Sequence, residues 1–184
     1  MSTHRNPGSR NQDRLKKAKD ADVRPIGARA LKSAIDTLRP YLPGSKVLDL
    51  YCGQGRFGAA ALEEGAEAVT FVDINRTNTK TLASQLKKYG DAPTLIAMDA
   101  LDYLKMAAEK GHKFDIVFAD PPFPFWNEKY SGRLVELVQA VLQSDSIFLV
   151  KHPSRVVASL PIYGFAEWKT TQFGESLLIY FKYL

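Results

Sequence analysis

Between residues 28 and 183, short apolar runs alternate with stretches in which apolar residues recur every three or four positions. From Ala28 to Leu38 the residues Leu31, Ile35 and Leu38 keep the spacing of one helix face, and Arg39-Pro40 followed by Pro43-Gly44 stops it. Strand-like and helix-like patterns then follow in turn. They are a strand from Lys46 to Tyr51, a helix from about Arg56 to Glu64, a strand from Ala68 to Asp73 and a helix from about Arg76 to Tyr89. A strand from Thr94 to Met98, a helix near Ala100 to Glu109, a strand from Phe114 to Ala119, a helix near Glu128 to Leu142 and a strand from Ser146 to Lys151 complete the series. Five such beats, joined by right-handed crossovers, predict an α/β fold of three layers with a mostly parallel sheet covered on both faces. The tail breaks the rhythm: Phe165 to Thr170 and Ser176 to Tyr183, separated by Gly174, predict a C-terminal antiparallel hairpin at the sheet edge.

With 184 residues, 45% hydrophobic and 24% charged, the chain has the length and composition of one globular domain. No apolar stretch approaches the roughly 18 residues that cross a bilayer, and the polar N-terminus lacks the apolar core of a secretion signal. A single cysteine, Cys52, cannot form an internal disulfide, and together these features predict a cytoplasmic protein. The net charge of +5 is unevenly spread. Seven basic residues against three acidic ones fall in residues 1 to 24, which leaves the rest of the chain almost neutral. Residues 1–23 therefore read as a basic arm suited to a polyanion, ahead of a domain over 24–184.

The most telling residues end the fourth strand: Asp120-Pro121-Pro122-Phe123. Each proline restricts the residue before it and offers no N–H, so the tetrapeptide predicts a rigid rim of acceptors with an aromatic face. A carboxylate and a backbone carbonyl can take the two hydrogens of an exocyclic amine on a nucleobase while Phe123 stacks on the ring. A strand-closing turn is the plainer alternative. The first strand ends in Asp49-Leu50-Tyr51-Cys52-Gly53-Gln54-Gly55, with Gly58 three residues on. The pattern Gly53-x-Gly55-x-x-Gly58 fits a nucleotide-binding turn, whether for a dinucleotide or for another adenosine-bearing cofactor. Asp49 tilts the choice, because a carboxylate suits the ammonium of a methionine moiety and repels a pyrophosphate. It could instead cap the following helix. Asp73, at the end of the second strand, is placed to accept the ribose hydroxyls. Asp99, after the third, can take the adenine amine or serve as an N-cap. In an open parallel sheet these strand ends face one crevice, so four carboxylates are expected to converge. His4, His112 and His152 show no metal-ligand spacing, so no metal is expected.

The succession of Leu48-Asp49-Leu50-Tyr51-Cys52-Gly53-Gln54-Gly55, Val72-Asp73, Asp99-Ala100 with Tyr103-Leu104, and Asp120-Pro121-Pro122-Phe123 resembles the RsmD family of small-subunit ribosomal RNA guanine-N2 methyltransferases. Arg24-Pro25 and Phe173-Gly174-Glu175-Ser176 are similar to further motifs of that family, and the likeness covers about residues 24 to 184. The resemblance implies a Rossmann-like methyltransferase fold with S-adenosyl-L-methionine as cofactor. It implies cofactor contacts at Asp49, Tyr51, Gly53, Gly55, Asp73, Ile74, Asp99 and Ala100, and methyl transfer to a guanine amine held by Asp120, Pro121, Pro122 and Phe123. Its partner would be ribosomal RNA or a small-subunit assembly particle, met by a monomer without membrane contact. The sequence departs from the family in its opening, a polar basic arm in place of a hairpin, with Ile26 where threonine is usual. It departs again in the aromatic cluster Pro124-Phe125-Trp126, which is expected either to hold a flipped base or to cap the core. Alternatives are an amino-methyltransferase acting on adenine or cytosine, a non-catalytic RNA-binding module of the same fold, and a nicotinamide oxidoreductase.

Overall fold

A computed structural model describes residues 26–155 and 164–184. The basic arm and Arg24-Pro25 lie outside the described residues. The first helix, α1 (Ala28–Leu38), buries Ala30, Ala34, Ile35 and Leu38 and passes into a 3-10 turn, Arg39–Tyr41, at Pro40. There follow β1 (Lys46–Leu50), α2 (Arg56–Glu63), β2 (Ala68–Asp73), α3 (Arg76–Leu86), β3 (Pro93–Ala97), α4 (Ala100–Glu109), β4 (Phe114–Ala119) and α5 (Glu128–Val141). The chain closes with β5 (Leu142–Pro153), β6 (Phe165–Phe173) and β7 (Ser176–Tyr183).

The seven strands form one sheet in the order β3-β2-β1-β4-β5-β7-β6. The first five are parallel, and β7 and β6 add antiparallel at one edge, as the periodicity predicts. The two-residue alternation of the central strands feeds two cores. Leu48, Leu50, Val117 and Ala119 pack with Leu104, Leu134 and Val138 from α4 and α5. Val47, Ile116 and Phe118 pack with Leu38, Phe57 and Leu82 from α1, α2 and α3. Because both faces are covered, these strands are mostly apolar, with Asp49 in β1 and Asp115 in β4 as the charged interruptions within them.

Boundaries shift where tertiary pairing overrides local pattern. β5 begins at Leu142, directly after α5, because Leu142 already pairs with Phe114. The register then slips between Phe114 and Ile116. β1 stops at Leu50, since Tyr51 takes φ of +60° and leaves the extended region. The strand order reverses between β1 and β4, where adjacent crossovers depart to opposite faces, the position at which open α/β sheets bind ligands beyond the strand ends.

Candidate active site

The candidate site at this switch point is built around the β1–α2 turn. Gly55 is the residue before α2, with φ of +66° and no side chain to cap the helix. A Cβ there would come within 2.5 Å of Leu82, and one at Gly58 within 2.3 Å of the Phe71 ring. These two glycines are thus explained by close packing of the turn against α3 and of α2 against β2. Gly53 differs: a Cβ there would meet only the Tyr51 carbonyl, at 4.0 Å, so this backbone faces open space.

Asp49 supplies the cap that Gly55 cannot. Its Oδ2 accepts the N–H of Gly58 in the first turn of α2 at 2.9 Å, so the capping alternative describes one of its oxygens. Among the described residues Oδ1 accepts no hydrogen bond. The residue is only 1% exposed, and burial pushes its carboxyl up to about 8. The Gly58 N–H opposes that rise, while the charges of Asp120 and Asp73 add to it. Asp73 closes the turn from the next strand: Oδ2 accepts the Gly53 N–H at 2.8 Å and Oδ1 the Asn75 N–H at 2.7 Å. This orders the loop and leaves further lone pairs on each oxygen. Ile74 beside it is half-buried. Asp99 Oδ1 accepts from the N–H groups of Leu101 and Asp102 at 3.0 and 3.2 Å, the N-cap geometry, and Ala100 is buried beneath it.

The rim after β4 is stiffened as its prolines predict. The Phe125 N–H donates to the Pro122 carbonyl at 2.9 Å and the Trp126 N–H to Phe123 at 3.1 Å. The Pro121 carbonyl stays outside these turn bonds among the described residues. Phe123 is 40% exposed, available for stacking. Phe125 and Trp126 take the core-capping alternative. Phe125 packs on the Tyr130 ring at 5.0 Å and Trp126 on His152 at 4.4 Å, both aromatic residues being buried. Tyr130 also shares a hydrogen bond between hydroxyls with Tyr51, tying the rim's helix to the end of β1.

Lys151 is the residue that sequence reasoning missed. Its ammonium donates to both oxygens of Asp120 at 2.9 Å, and the side chains of the pair are 9% and 16% exposed. Burial raises the Asp120 carboxyl to about 6, and the charge and hydrogen bond of Lys151 hold it back from rising further. The signal was a lone cation ending the apolar run Ile147-Phe148-Leu149-Val150 on the strand next to β4. The parallel register pairs Ala119 with Val150, so the next residues, Asp120 and Lys151, stand side by side. Among the described residues no group of His, Cys, Asp and Glu could hold a metal ion. Burial, with the charges of Asp49 and Asp73, pushes the Cys52 thiol up, which leaves it inert.

The arrangement is thus an open glycine turn, a buried Asp49 whose carboxyl is raised by burial and by the charges of Asp120 and Asp73, and an acceptor rim under an exposed ring. Over residues 7–182 the chain matches the family described as Conserved hypothetical protein 95. It is similar to the ribosomal RNA small subunit methyltransferase D of Haemophilus influenzae, with 37% identity over 110 residues, 56% of this chain and 54% of that one. The Escherichia coli K12 protein of the same name is 31% identical over 103 residues, 55% of this chain and 50% of that one. These matched stretches span about half the length of either relative. A Thermus thermophilus 16S rRNA N2 guanine methyltransferase, solved with AdoMet and guanosine, superposes with a TM-score of 0.71 at 19% identity. That overlap covers 90% of this chain and 44% of that one, and it shows a shared Rossmann-like fold. Since the family match runs through nearly the whole chain, the protein belongs to this family, the RsmD family whose motifs its sequence carries.

Proposed function

We propose that this protein transfers a methyl group from S-adenosyl-L-methionine to the exocyclic N2 of a guanine in small-subunit ribosomal RNA, acting as a cytoplasmic monomer. The observation that carries the reading is the gathering of Asp49, Asp73 and Asp120 at the mouths of β1, β2 and β4, close enough that the charges of Asp120 and Asp73 add to the rise that burial causes in the Asp49 carboxyl. Three carboxylates around bare backbone fit a ligand that brings cations, here an ammonium and a sulfonium, and oppose a pyrophosphate. Asp49 through Oδ1 would take the ammonium, Gly53 with Tyr51 and Cys52 would flank the donor, and Asp73 with Ile74 would hold the ribose. Asp99 and Ala100 would meet the adenine. Bound there, the cofactor supplies an electrophilic methyl group.

The chain's own residues then act on the acceptor. Asp120 and the Pro121 carbonyl accept the two N–H bonds of the amine. This favours a pyramidal nitrogen whose lone pair has left the ring and which gains positive charge in the transition state, and Asp120 then takes the proton that the methylated nitrogen sheds. Lys151 keeps Asp120 ionised in a site that would otherwise protonate it, and each Asp120 oxygen retains a lone pair for the amine. Pro121 and Pro122 fix both acceptors, and orientation of this kind offsets about 7 kcal/mol or more of barrier. Phe123 stacks on the base. The test is mass mapping of methylated nucleotides in ribosomal RNA from cells with and without this protein. Loss of one N2-methylguanine is expected, and an unchanged map refutes the reading. A thermal-shift comparison separates the cofactor classes: S-adenosylhomocysteine should raise the melting temperature and NAD should not.

A further inference from the structure

The edge strand β6 carries a bulge that changes which way its side chains face. Glu167 pairs with Phe181 and Lys169 with Tyr180, so Trp168 is an extra residue between them. Such a bulge breaks the two-residue alternation, and consecutive side chains can then serve the same face. Trp168 meets Tyr41 edge-on at 5.6 Å and Tyr180 at 6.0 Å. Lys169 donates to Thr37 Oγ1 of α1 at 2.8 Å and stands 5.7 Å from the Tyr180 ring. Between the two outer rings lies the ammonium of Lys182, 5.5 Å from Tyr41 and 5.6 Å from Trp168. Both rings are 39% exposed. Among the described residues neither Lys169 nor Lys182 has a carboxylate within ion-pairing distance. A lysine alone is an ordinary guard for a sheet edge. Two half-open rings clasping an uncompensated cation, beside a second one, go beyond that need.

We propose that this surface holds an unpaired stretch of the RNA substrate, with a base stacked on Trp168 or Tyr41 and the adjoining phosphates on Lys182 and Lys169. Charge complementarity selects the occupant: cations without counter-ions beside stackable rings suit a polyanion whose bases have exposed faces. A hollow of about 330 Å³ adjoins Tyr41, lined also by Ser45, Ser144 and Ser146 and by Asp115 and Asp145, so it offers room for an uncharged base while the phosphates stay on the lysines. The proposal rests on the RNA reading above and adds a contact away from the chemistry. Lys182 pairs with Ile147, four residues along β5 from Lys151, so the patch lies about 13 Å or more down the sheet from the rim. RNA gripped there is positioned without touching the reacting amine.

The test titrates the full-length protein with a labelled single-stranded RNA of about 12 nucleotides, within the range such surfaces span, over a series of salt concentrations. Trp168→Ala should weaken binding about 10-fold with the salt slope unchanged, and Trp168→Phe should restore most of it. Lys182→Gln should flatten the slope by about 0.7, the share of one phosphate contact, and Lys182→Arg should keep it. Thermal shift with S-adenosylhomocysteine, unchanged in all four variants, shows that the domain is intact. If the wild-type protein binds RNA and the variants bind it equally well, the patch is edge packing and the proposal falls while the methyltransferase reading stands. If the wild-type protein binds no such RNA, the proposal falls, and the methyltransferase reading is decided by the mass map. A change in self-association by light scattering without a change in RNA affinity assigns the patch to a second copy of the chain and overturns the proposal.

Discussion

Replacing Lys151 with methionine removes a charge and two hydrogen bonds from Asp120 while keeping the stem of the side chain. Both partners are largely withdrawn from water, so solvent does not make good the loss. With Lys151 in place the Asp120 carboxyl sits at about 6, burial being the larger influence and Lys151 the counterweight. A neighbouring opposite charge lowers a carboxyl by about 1 to 3 units, so its removal should carry Asp120 to about 8. Turnover that needs the carboxylate would then fall at pH 7 from about nine-tenths of its ceiling to about one-tenth, and recover by about pH 9. The assay is single-turnover transfer of labelled methyl to RNA between pH 5.5 and about 9.5, with Lys151→Arg as the variant that keeps the charge. The acid limb should move up by about 2 units in the methionine variant and stay near that of the wild type in the arginine one. A limb that does not move, or an equal loss at every pH, would refute the assignment of Lys151 as the group that keeps Asp120 ionised.

Asp120→Ala should lower turnover by about 10²- to 10⁴-fold with cofactor affinity nearly unchanged, measured by single-turnover kinetics beside calorimetric binding of S-adenosylhomocysteine. Gly58→Ala gains about 1 kcal/mol of helix propensity, but its Cβ would lie 2.3 Å from Phe71, and overpacking costs about 1 to 3 kcal/mol. A lower urea midpoint is expected, and a higher one would show that α2 can move off β2 at little cost. Asp49, raised to about 8 in the fold, keeps a proton between about pH 4 and 8 that the unfolded chain has lost, so ligand-free stability should fall as pH rises through that window. Asp120 adds a slope of the same sign up to about pH 6. Asp49→Asn should flatten the fall in urea-unfolding free energy, and an unaltered slope would place its origin elsewhere.

The layer order and the placing of the candidate residues at the strand ends were legible because each rests on a local signal. Short apolar runs such as Ile116–Ala119, bounded by turn residues, fit strands covered on both faces, and the residue after each run then falls at the end of the sheet where open α/β folds bind ligands. What stayed hidden depends on neighbours distant in sequence. Lys151 gained its meaning from β5 lying beside β4 in a given register, which no single strand announces. The separate reasons for Gly55 and Gly58 lie in Leu82 and Phe71, on elements that the glycine pattern does not mention. The bulge at Trp168 is set by pairing with β7, so the hairpin could be read from alternation and its exposed rings could not.

The capping roles of Asp49 and Asp99 do not compete with ligand binding; they explain how such a site is kept ready. A side chain free to rotate would turn its carboxylate to water, whereas Asp49 is anchored by Oδ2 to the first turn of α2 and Asp73 holds the Gly53 and Asn75 amides. Asp49 commits one oxygen and Asp73 commits one lone pair on each oxygen to backbone N–H groups, which leaves each carboxylate aimed from a fixed backbone. The cost appears in Asp49, whose carboxyl is driven upward by its own burial and by the charges of Asp120 and Asp73. That cost falls when a cation enters and rises when an anion does, so the sign of the ligand's charge follows from the arrangement before any ligand is named. On the proposed reading, the contacts that close the β1–α2 turn are thus the ones that would favour a positively charged donor.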